Sequence, residues 1–323
     1  MQTRTKLSET VQQMLRCPIC KARLELHGEE YHCKNPDCFF LFPIINGIPI
    51  LIDEEHSLFS INDFVNQHKT TFYGSQSKLA QAVNEFLPDI SRNLKSRRNY
   101  NKFAKLLLSQ SSTPRVLVIG GSILGGGMEA ILRYPCIELV DSDVTFGPRT
   151  ALICDAHGLP FEDNSLDGVI VQAVLEHVVD PWQCVEEIHR VLKGDGLVYA
   201  ETPFMQQVHG GRYDFTRFTH LGHRRLFRKF EEIDSGAVGG PGMALAWSYR
   251  YFLLSFTSSS FLRRLIGAFV RLTSFYLTYF DYLLIDKAGT LDAASGYYFM
   301  GRKSDHILSE KDLIKLYKGL DQT

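Results

Sequence analysis

The pattern of apolar and polar positions divides the chain into unequal parts. Between residues 114 and 203, short apolar runs alternate with amphipathic stretches. "RVLVI" (115–119), "CIELVD" (136–141), "ALICD" (151–155), "DGVIVQAV" (167–174) and "GLVYAE" (196–201) read as buried strands. "MEAILRY" (128–134) reads as a helix stopped by Pro135. Asp180 and Pro181 predict an N-cap with proline at the first helical position; Trp182, Val185, Ile188 and Leu192 follow as one apolar face, and Gly194 closes that helix. Strand and helix in alternation predict an α/β fold with a doubly wound parallel sheet.

The flanks differ. "FFLFPIINGIPILI" (39–52) reads as strand, Asn-Gly turn, strand. Residues 54–112 are mixed, and Phe103, Leu106 and Leu107 predict a helix leading into the first core strand. The Arg97–Arg98 pair there reads as a solvated face rather than a phosphate site, and "TFYG" (71–74) as an aromatic lid over a cofactor. Residues 243–286 are rich in aromatics. Their longest uncharged run, Tyr251–Leu262, is far short of the roughly 20 residues a spanning helix needs. Arg250, Arg263, Arg264 and Arg271 interrupt it, so two amphipathic helices are expected, as a cap on an acceptor pocket, a homodimer interface or a peripheral membrane contact. "ASGYYFMGRK" (294–303) returns as a last strand, before a short tail helix. The expected organisation is 1–53, 54–112 as a helical linker or lid, 113–240 as the core, 241–288 as a helical insertion, and 289–323 as final strand and tail.

Composition narrows the class. Of 323 residues, 45% are hydrophobic and 22% charged, and the formal net charge is -1. No global positive field draws the chain to nucleic acid. The polar start "MQTRTKLSETVQQML" lacks a signal-peptide core, so a cytoplasmic location is expected. In a reducing compartment, clustered cysteines suggest metal and scattered ones packing. Cys136, Cys154 and Cys184 are scattered.

Cys17, Cys20, Cys33 and Cys38 are clustered as "CPIC" and, after 12 residues, "CKNPDC". Two such knuckles complete a closed four-sulfur Zn2+ site, and metal binding supplies folding free energy to a segment too small for a core of its own. His27 and His32 lie nearby, and His32 is the alternative ligand to one thiolate. "CPIC…YHCKNPDCFFLFPIINGIPILI" resembles the zinc ribbon of small methyltransferase-activator proteins, which also occurs fused to bacterial methyltransferases. The resemblance covers residues 14–53 and implies a methyltransferase partner, which the rest of the chain could be.

"VLVIGGSILGGGME" (116–129) is an apolar strand emptying into glycines, as at nucleotide-binding loops, and Asp141 follows Gly120 at the spacing of a ribose-gripping carboxylate. These alone leave nicotinamide cofactors and S-adenosylmethionine open. "CDAHGLPFEDNSLDGVIVQAVLEHVVDPWQCVEEIHRVLKGDGLVYAETPF" resembles class I S-adenosylmethionine-dependent methyltransferases, from the branch that includes quinone-type small-molecule enzymes. The resemblance runs from 114 to 235 and implies a Rossmann-like core. It implies that Gly120, with Gly121 and Ser122, takes the methionine part of the cofactor. Asp141 would hold the ribose, Asp155 and Ala156 would face the adenine, and Gln172 would line the pocket near the sulfonium. The family's G-x-G-x-G falls here on Gly120, Ser122 and Leu124, with Gly125 to Gly127 one residue later. A lengthened loop and a degenerate pocket are the two explanations, and three retained glycines favour the first.

Methyl transfer asks the protein for proximity, alignment and, for a hydroxyl acceptor, a base. His177 follows the fourth strand, as a catalytic or helix-start residue. "ETPFMQQVHGGRYDFTRFTHLGHRRLF" places His209, Asp214, Arg217 and His220 beyond the fifth, and resembles methyltransferases found near bacterial glycan and secondary-metabolite genes. His209 is the expected base, with substrate hydrogen bonding or a structural role as the alternatives. Arg212, Arg217, Arg224, Arg225, Arg228 and Lys229 suggest a positive face suited to an anionic acceptor, or else a solvated helix. "QAVL" in place of Asn-Pro-Pro-aromatic counts against methylation of nucleic-acid bases, and no thiol or metal triad is read in the catalytic half. The expected function is O-methylation of a small-molecule or glycan-type acceptor. A non-catalytic cofactor-binding scaffold that recruits a partner through its ribbon is the alternative, and a nicotinamide oxidoreductase is the third.

Overall fold

Eleven strands hydrogen-bond into one continuous sheet in the computed structural model, which describes residues 5–68, 70 and 86–320. In chain order the strands are β1 (Leu24–His27), β2 (Glu30–Cys33), β3 (Leu41–Ile45), β4 (Ile48–Leu51), β5 (Arg115–Ile119), β6 (Glu138–Asp143), β7 (Leu152–Cys154), β8 (Leu166–Gln172), β9 (Leu192–Pro203), β10 (Phe230–Gly239) and β11 (Gly296–Lys303). Across the sheet they run β1-β2-β3-β4-β7-β6-β5-β8-β9-β11-β10.

Strands β7, β6, β5, β8 and β9 are parallel. Their near-continuous Val, Ile and Leu content is what burial on both faces demands. β11 inserts antiparallel between β9 and β10. This is a mixed α/β Rossmann-like fold with a mainly parallel centre. β5 lies between β6 and β8, so the strand order reverses beside it, which is where ligands bind in such sheets.

The N-terminal hairpins continue the same sheet. β4 pairs in parallel with β7 through Ile50–Ile153 and Leu51–Cys154. Arg16 also donates its backbone N–H to Pro160 O at 2.9 Å, and Arg16 pairs with Glu162 at 2.5 Å. β4 thus covers what would be an open sheet edge.

Helices cover the faces: α1 (Glu9–Met14), α2 (Ile61–Val65), α3 (Ser96–Gln110), α4 (Pro181–Val191), α5 (His220–Leu226), α6 (Pro241–Leu254), α7 (Ser260–Ser274) and α8 (Leu277–Leu284). Phe103 and Leu107 of α3 are buried against the sheet. Asp180 caps α4, accepting from the N–H groups of Trp182 and Gln183, both at 3.0 Å. That helix ends earlier than the glycine predicts. Val191 is its last residue and Gly194 lies within β9, because the chain turns at Leu192 directly into the strand.

Three other elements depart from the sequence pattern. "MEAILR" (Met128–Arg133) winds as a 3-10 helix rather than an α-helix, entered from Gly127 at φ 82°. β10 escapes the apolar pattern because "FEEIDSGAVG" alternates weakly on a half-exposed edge. The insertion holds three helices, not two. α6 packs against α7 and α8, and the carboxylate of Asp281 in α8 accepts from Gly242 N–H at 2.7 Å and Met243 N–H at 2.9 Å, capping α6. Residues 71–74 lie outside the described residues, and with them the aromatic lid. Among the described residues, no helix is long and apolar enough to cross a membrane.

Candidate functional site

A cavity of about 440 Å³ opens at the carboxyl ends of β5 to β8. That volume lies within the range of small-molecule and cofactor pockets. Gly120 begins its floor. Its φ of 76° is left-handed backbone, and a Cβ there would lie 2.4 Å from Val174 Cγ2, so only glycine fits. Gly125 and Gly126 reach the same wall, and a Cβ on Gly125 would fall 1.8 Å from Gln172 Oε1. Two of the three displaced glycines therefore line the cavity, while Gly127 packs against Ser96 and Arg97.

Ser122 lines the cavity, and its N–H donates to Asp143 Oδ2 at 3.1 Å. Gly121 does not line it; a Cβ there would meet Asp141 Oδ1 at 2.9 Å. Asp141 stands behind the loop, where its Oδ2 accepts from Arg149 Nη2 at 2.7 Å, and it too is absent from the cavity wall. The carboxylate that faces the cavity from this strand is Asp143. The strand runs two residues further than the apolar pattern suggests, and residues two apart share a face, so Asp143 and not Asp141 reaches the cavity wall.

Asp155 and Ala156 line the cavity past β7. Asp155 Oδ1 accepts from His157 Nδ1 at 2.6 Å and Oδ2 from the Ser57 hydroxyl. Burial opposes the Asp155 charge, but these hydrogen bonds outweigh it and hold the carboxyl below its usual range. His157 Nε2 accepts from Asp180 N–H at 3.1 Å, which sets the tautomer. Leu58 and Phe59, from the segment after the ribbon, also line the cavity.

Gln172 ends β8. Its Nε2 donates to Glu201 Oε2 at 2.8 Å and to Gly126 O at 3.0 Å, and its Oε1 accepts from the Tyr100 hydroxyl at 3.0 Å. Glu201 is buried and also accepts from Asn93, Ser96 and Tyr199; burial raises its pKa. The cavity wall carries four carboxylates (Asp143, Asp155, Glu176, Glu201) against one guanidinium, Arg92.

The acceptor end is built from β8's exit and the loop after β9. His177 and His209 both line it, with rings 5.0 Å apart and edge-to-face. Glu176 joins them, and the sequence reading had no metal triad there. Only folding brings position 209 to 176 and 177, so spacing along the chain carried no signal. Glu176 is wholly buried, and burial pushes its carboxyl up to about 8. Burial lowers the pKa of His177. Trp247 of α6 packs on His209 at 6.0 Å, and Met243 lines the cavity, so the insertion's first helix caps this end.

The basic residues expected to form a positive face are divided among other partners. Arg217 holds Asp214, Arg224 donates to the carbonyls of Phe227 and Phe230, Lys229 pairs with Glu186, and Arg212 donates to Tyr213; Arg225 and Arg228 are exposed away from the cavity wall.

Residues 137–200, from β6 into β9, match the methyltransferase domain family. The match covers β6, β7 and β8, three of the strands whose carboxyl ends build the cavity. Among solved structures, the chain is similar to Burkholderia thailandensis 1,6-didemethyltoxoflavin-N1-methyltransferase with bound 1,6-didemethyltoxoflavin and S-adenosylhomocysteine. Identity is 14%, covering 76% of this chain and 87% of that one, with a TM-score of 0.39. It is also similar to Haemonchus contortus phosphoethanolamine N-methyltransferase 2 in complex with S-adenosyl-L-methionine, at 17% identity over 64% of this chain and 53% of that one, with a TM-score of 0.40. No curated protein matches the sequence significantly.

The four clustered cysteines form a second site away from the methyltransferase cavity. Their sulfurs lie within 4.8 Å of one another, with Cys20–Cys33 at 3.4 Å and Cys17–Cys38 at 3.7 Å. Tetrahedral zinc with Zn–S bonds of ~2.3 Å separates its sulfurs by roughly 3.8 Å, so the donor set fits. His32 instead approaches Glu30, at 3.5 Å, and His27 approaches Glu25, at 2.9 Å.

Proposed function

We propose that the chain transfers the methyl group of S-adenosylmethionine to a hydroxyl oxygen of a small-molecule or glycan-type acceptor. The observation that carries this reading is the cavity itself, with its left-handed Gly120, its two carboxylates Asp143 and Asp155 at the ends of neighbouring strands, and a methyltransferase-domain match across the same strands. Asp143 is suited to the ribose hydroxyls and Asp155 with Ala156 to the adenine. Gly120, Ser122, Gly125 and Gly126 form the surface against which the remainder would lie, beside Gln172. When bound, the cofactor supplies an activated methyl carbon on a cationic sulfur. The acceptor oxygen forms the new C–O bond, the breaking C–S bond leaves its electron pair on sulfur, and the hydroxyl proton passes to a base.

His209 is the residue we assign as that base. Its Nδ1 lies 3.2 Å from Gln207 O, which orients the ring, and its Nε2 is directed toward the Glu176 side of the cavity. His177, anchored by Nδ1 at 2.7 Å from Tyr213 O, is the second catalytic residue in this reading. The wall carries an Asp155 carboxylate held in its charged form and only one guanidinium, Arg92, which favours an uncharged acceptor over an anionic one. Formation of S-adenosylhomocysteine across a panel of hydroxylated acceptors tests the reading. A turning-over acceptor whose rate falls at least about 100-fold in His209→Ala supports it, in line with loss of a general base.

The ribbon cysteines Cys17, Cys20, Cys33 and Cys38 hold a structural Zn2+ in this reading. The insertion presents Phe261, Leu265, Phe269 and Leu272 outward on α7 beside Arg263 and Arg264. This mixture of exposed apolar side chains and arginines favours peripheral contact with an anionic lipid surface over a homodimer. Co-sedimentation with phosphatidylglycerol vesicles and not phosphatidylcholine vesicles is the expected result.

A further inference from the structure

Three side chains at the acceptor end form a group with a use beyond base catalysis. One donor atom each from Glu176, His177 and His209 lies within 4.8 Å of the others. Glu176 is wholly buried, yet among the described residues neither of its carboxylate oxygens has a hydrogen-bond partner. A buried carboxylate in that state needs a compensating charge or donor. His177 Nε2 and His209 Nε2 are each 3.8 Å from the same atom, Glu176 Oε1. That is too long for a hydrogen bond and near the spacing of donors that share one ion.

The opposite nitrogens are already committed. His177 Nδ1 is 2.7 Å from Tyr213 O and His209 Nδ1 is 3.2 Å from Gln207 O, so each Nδ1–H donates to a carbonyl and leaves its lone pair on Nε2. Metal-bound histidines are held in this way by a partner on the second ring nitrogen. The loop is fixed as well. Asp214 accepts from the backbone N–H of His209 at 2.8 Å and of Gly210 at 3.0 Å, and Arg217 clamps Asp214. A Cβ on Gly210 would sit 2.6 Å from His177 Nδ1, so the loop and the ring pack without slack.

We propose that Glu176, His177 and His209 bind one divalent transition-metal ion at the acceptor end of the cavity. Two imidazoles and one carboxylate suit ions such as Fe2+, Co2+, Mn2+ or Zn2+, and three protein ligands leave coordination positions open. The metal binding stands on these residues alone. Its consequence for substrate rests on the methyltransferase reading: the acceptor is then an oxygen ligand that completes the coordination. His209 Nε2 cannot hold a metal and accept a proton together, so metal binding replaces the base role of this residue with Lewis-acid activation.

The test is a titration of the full chain, with its cysteine site already filled by zinc, using Co2+ alone. Heat and visible absorption are followed together. One further Co2+ per chain is expected, with the weak bands of nitrogen and oxygen coordination and without intense thiolate-to-cobalt absorption. Its affinity falls at least about 100-fold in Glu176→Gln and in His209→Gln, a ligand's loss exceeding the 10–100-fold cost of an outer-shell one. His189→Gln, remote from the group, leaves it unchanged. Both test variants are checked by far-ultraviolet circular dichroism and ribbon zinc content; if one loses its fold, the other decides. No Co2+ beyond the cysteine site, or binding undiminished in the folded variants, overturns the proposal and leaves His209 as the base. No methyl donor enters this experiment, so its failure is separate from failure of the methyltransferase reading.

Discussion

The Ser57 hydroxyl donates to Asp155 Oδ2, tying the segment that leaves the ribbon to a carboxylate in the cofactor cavity. Six and seven residues farther back, Leu51 and Ile50 of β4 pair with β7, whose last residue, Cys154, precedes Asp155. Ribbon and cavity therefore share one stretch of sheet.

Chelating the ribbon metal, or substituting Cys17→Ser or Cys33→Ser, is expected to release about one zinc per chain. It should also weaken S-adenosylhomocysteine binding, because β4 and Ser57 lose their anchor. Metal analysis and calorimetry on the same samples check both effects. Zinc loss with an unchanged dissociation constant would separate the two sites.

The two aspartates of β6 should behave differently. Asp143→Ala is expected to weaken cofactor binding by about 1.5–3 kcal/mol, as for loss of a charged hydrogen-bond partner. Asp141→Ala should leave binding nearly intact and lower stability instead, since it strands Arg149 beside the loop. Calorimetry and denaturant unfolding on both variants distinguish the roles.

This pair also marks how far sequence carries. The alternation of apolar runs gave β5 through β9 and Asp180's cap because each depends on local chemistry. The resemblance placed Asp141 toward the ribose, whereas the structure lines the cavity with Asp143, because where a strand ends is decided by its neighbours' hydrogen bonds. β10 was invisible for a similar reason: its residues are ordinary, and only pairing with β11 makes them a strand. The joining of Glu176 to His209 belongs to topology, since nothing in the 32 intervening residues announces it.

The glycines offer a graded test. Gly125→Ala should abolish cofactor binding or destabilise the loop, because its Cβ would overlap Gln172. Gly120→Ala should cost at least about 1 kcal/mol of stability from its left-handed backbone and the clash with Val174. Gly126→Ala, whose nearest neighbour would be Asn93 Cβ at 4.0 Å, should be tolerated. Thermal unfolding with and without S-adenosylhomocysteine ranks the three.

His223 supplies a pH dependence. It is buried among Phe218, Phe227 and Phe299, and burial lowers its pKa to about 3, from an ordinary value of about 6.5. Between those values the unfolded chain binds a proton that the folded chain refuses. Its contribution to stability is therefore present above about pH 6.5 and lost as pH falls, at up to about 1.4 kcal/mol per pH unit. Urea unfolding at pH 5 and pH 7 should give a smaller difference in His223→Leu than in wild type. An equal difference would assign the acid sensitivity to other groups.

The competence of the glycine-rich cavity is tested most directly by calorimetric titration of the zinc-loaded protein with S-adenosylmethionine and S-adenosylhomocysteine, with the reduced nicotinamide dinucleotide as control. Micromolar binding of both sulfur compounds, weakened in Asp143→Ala, and no binding of the dinucleotide are expected. Folded protein that binds neither sulfur compound would contradict the methyltransferase reading and leave the ribbon-bearing chain as a scaffold.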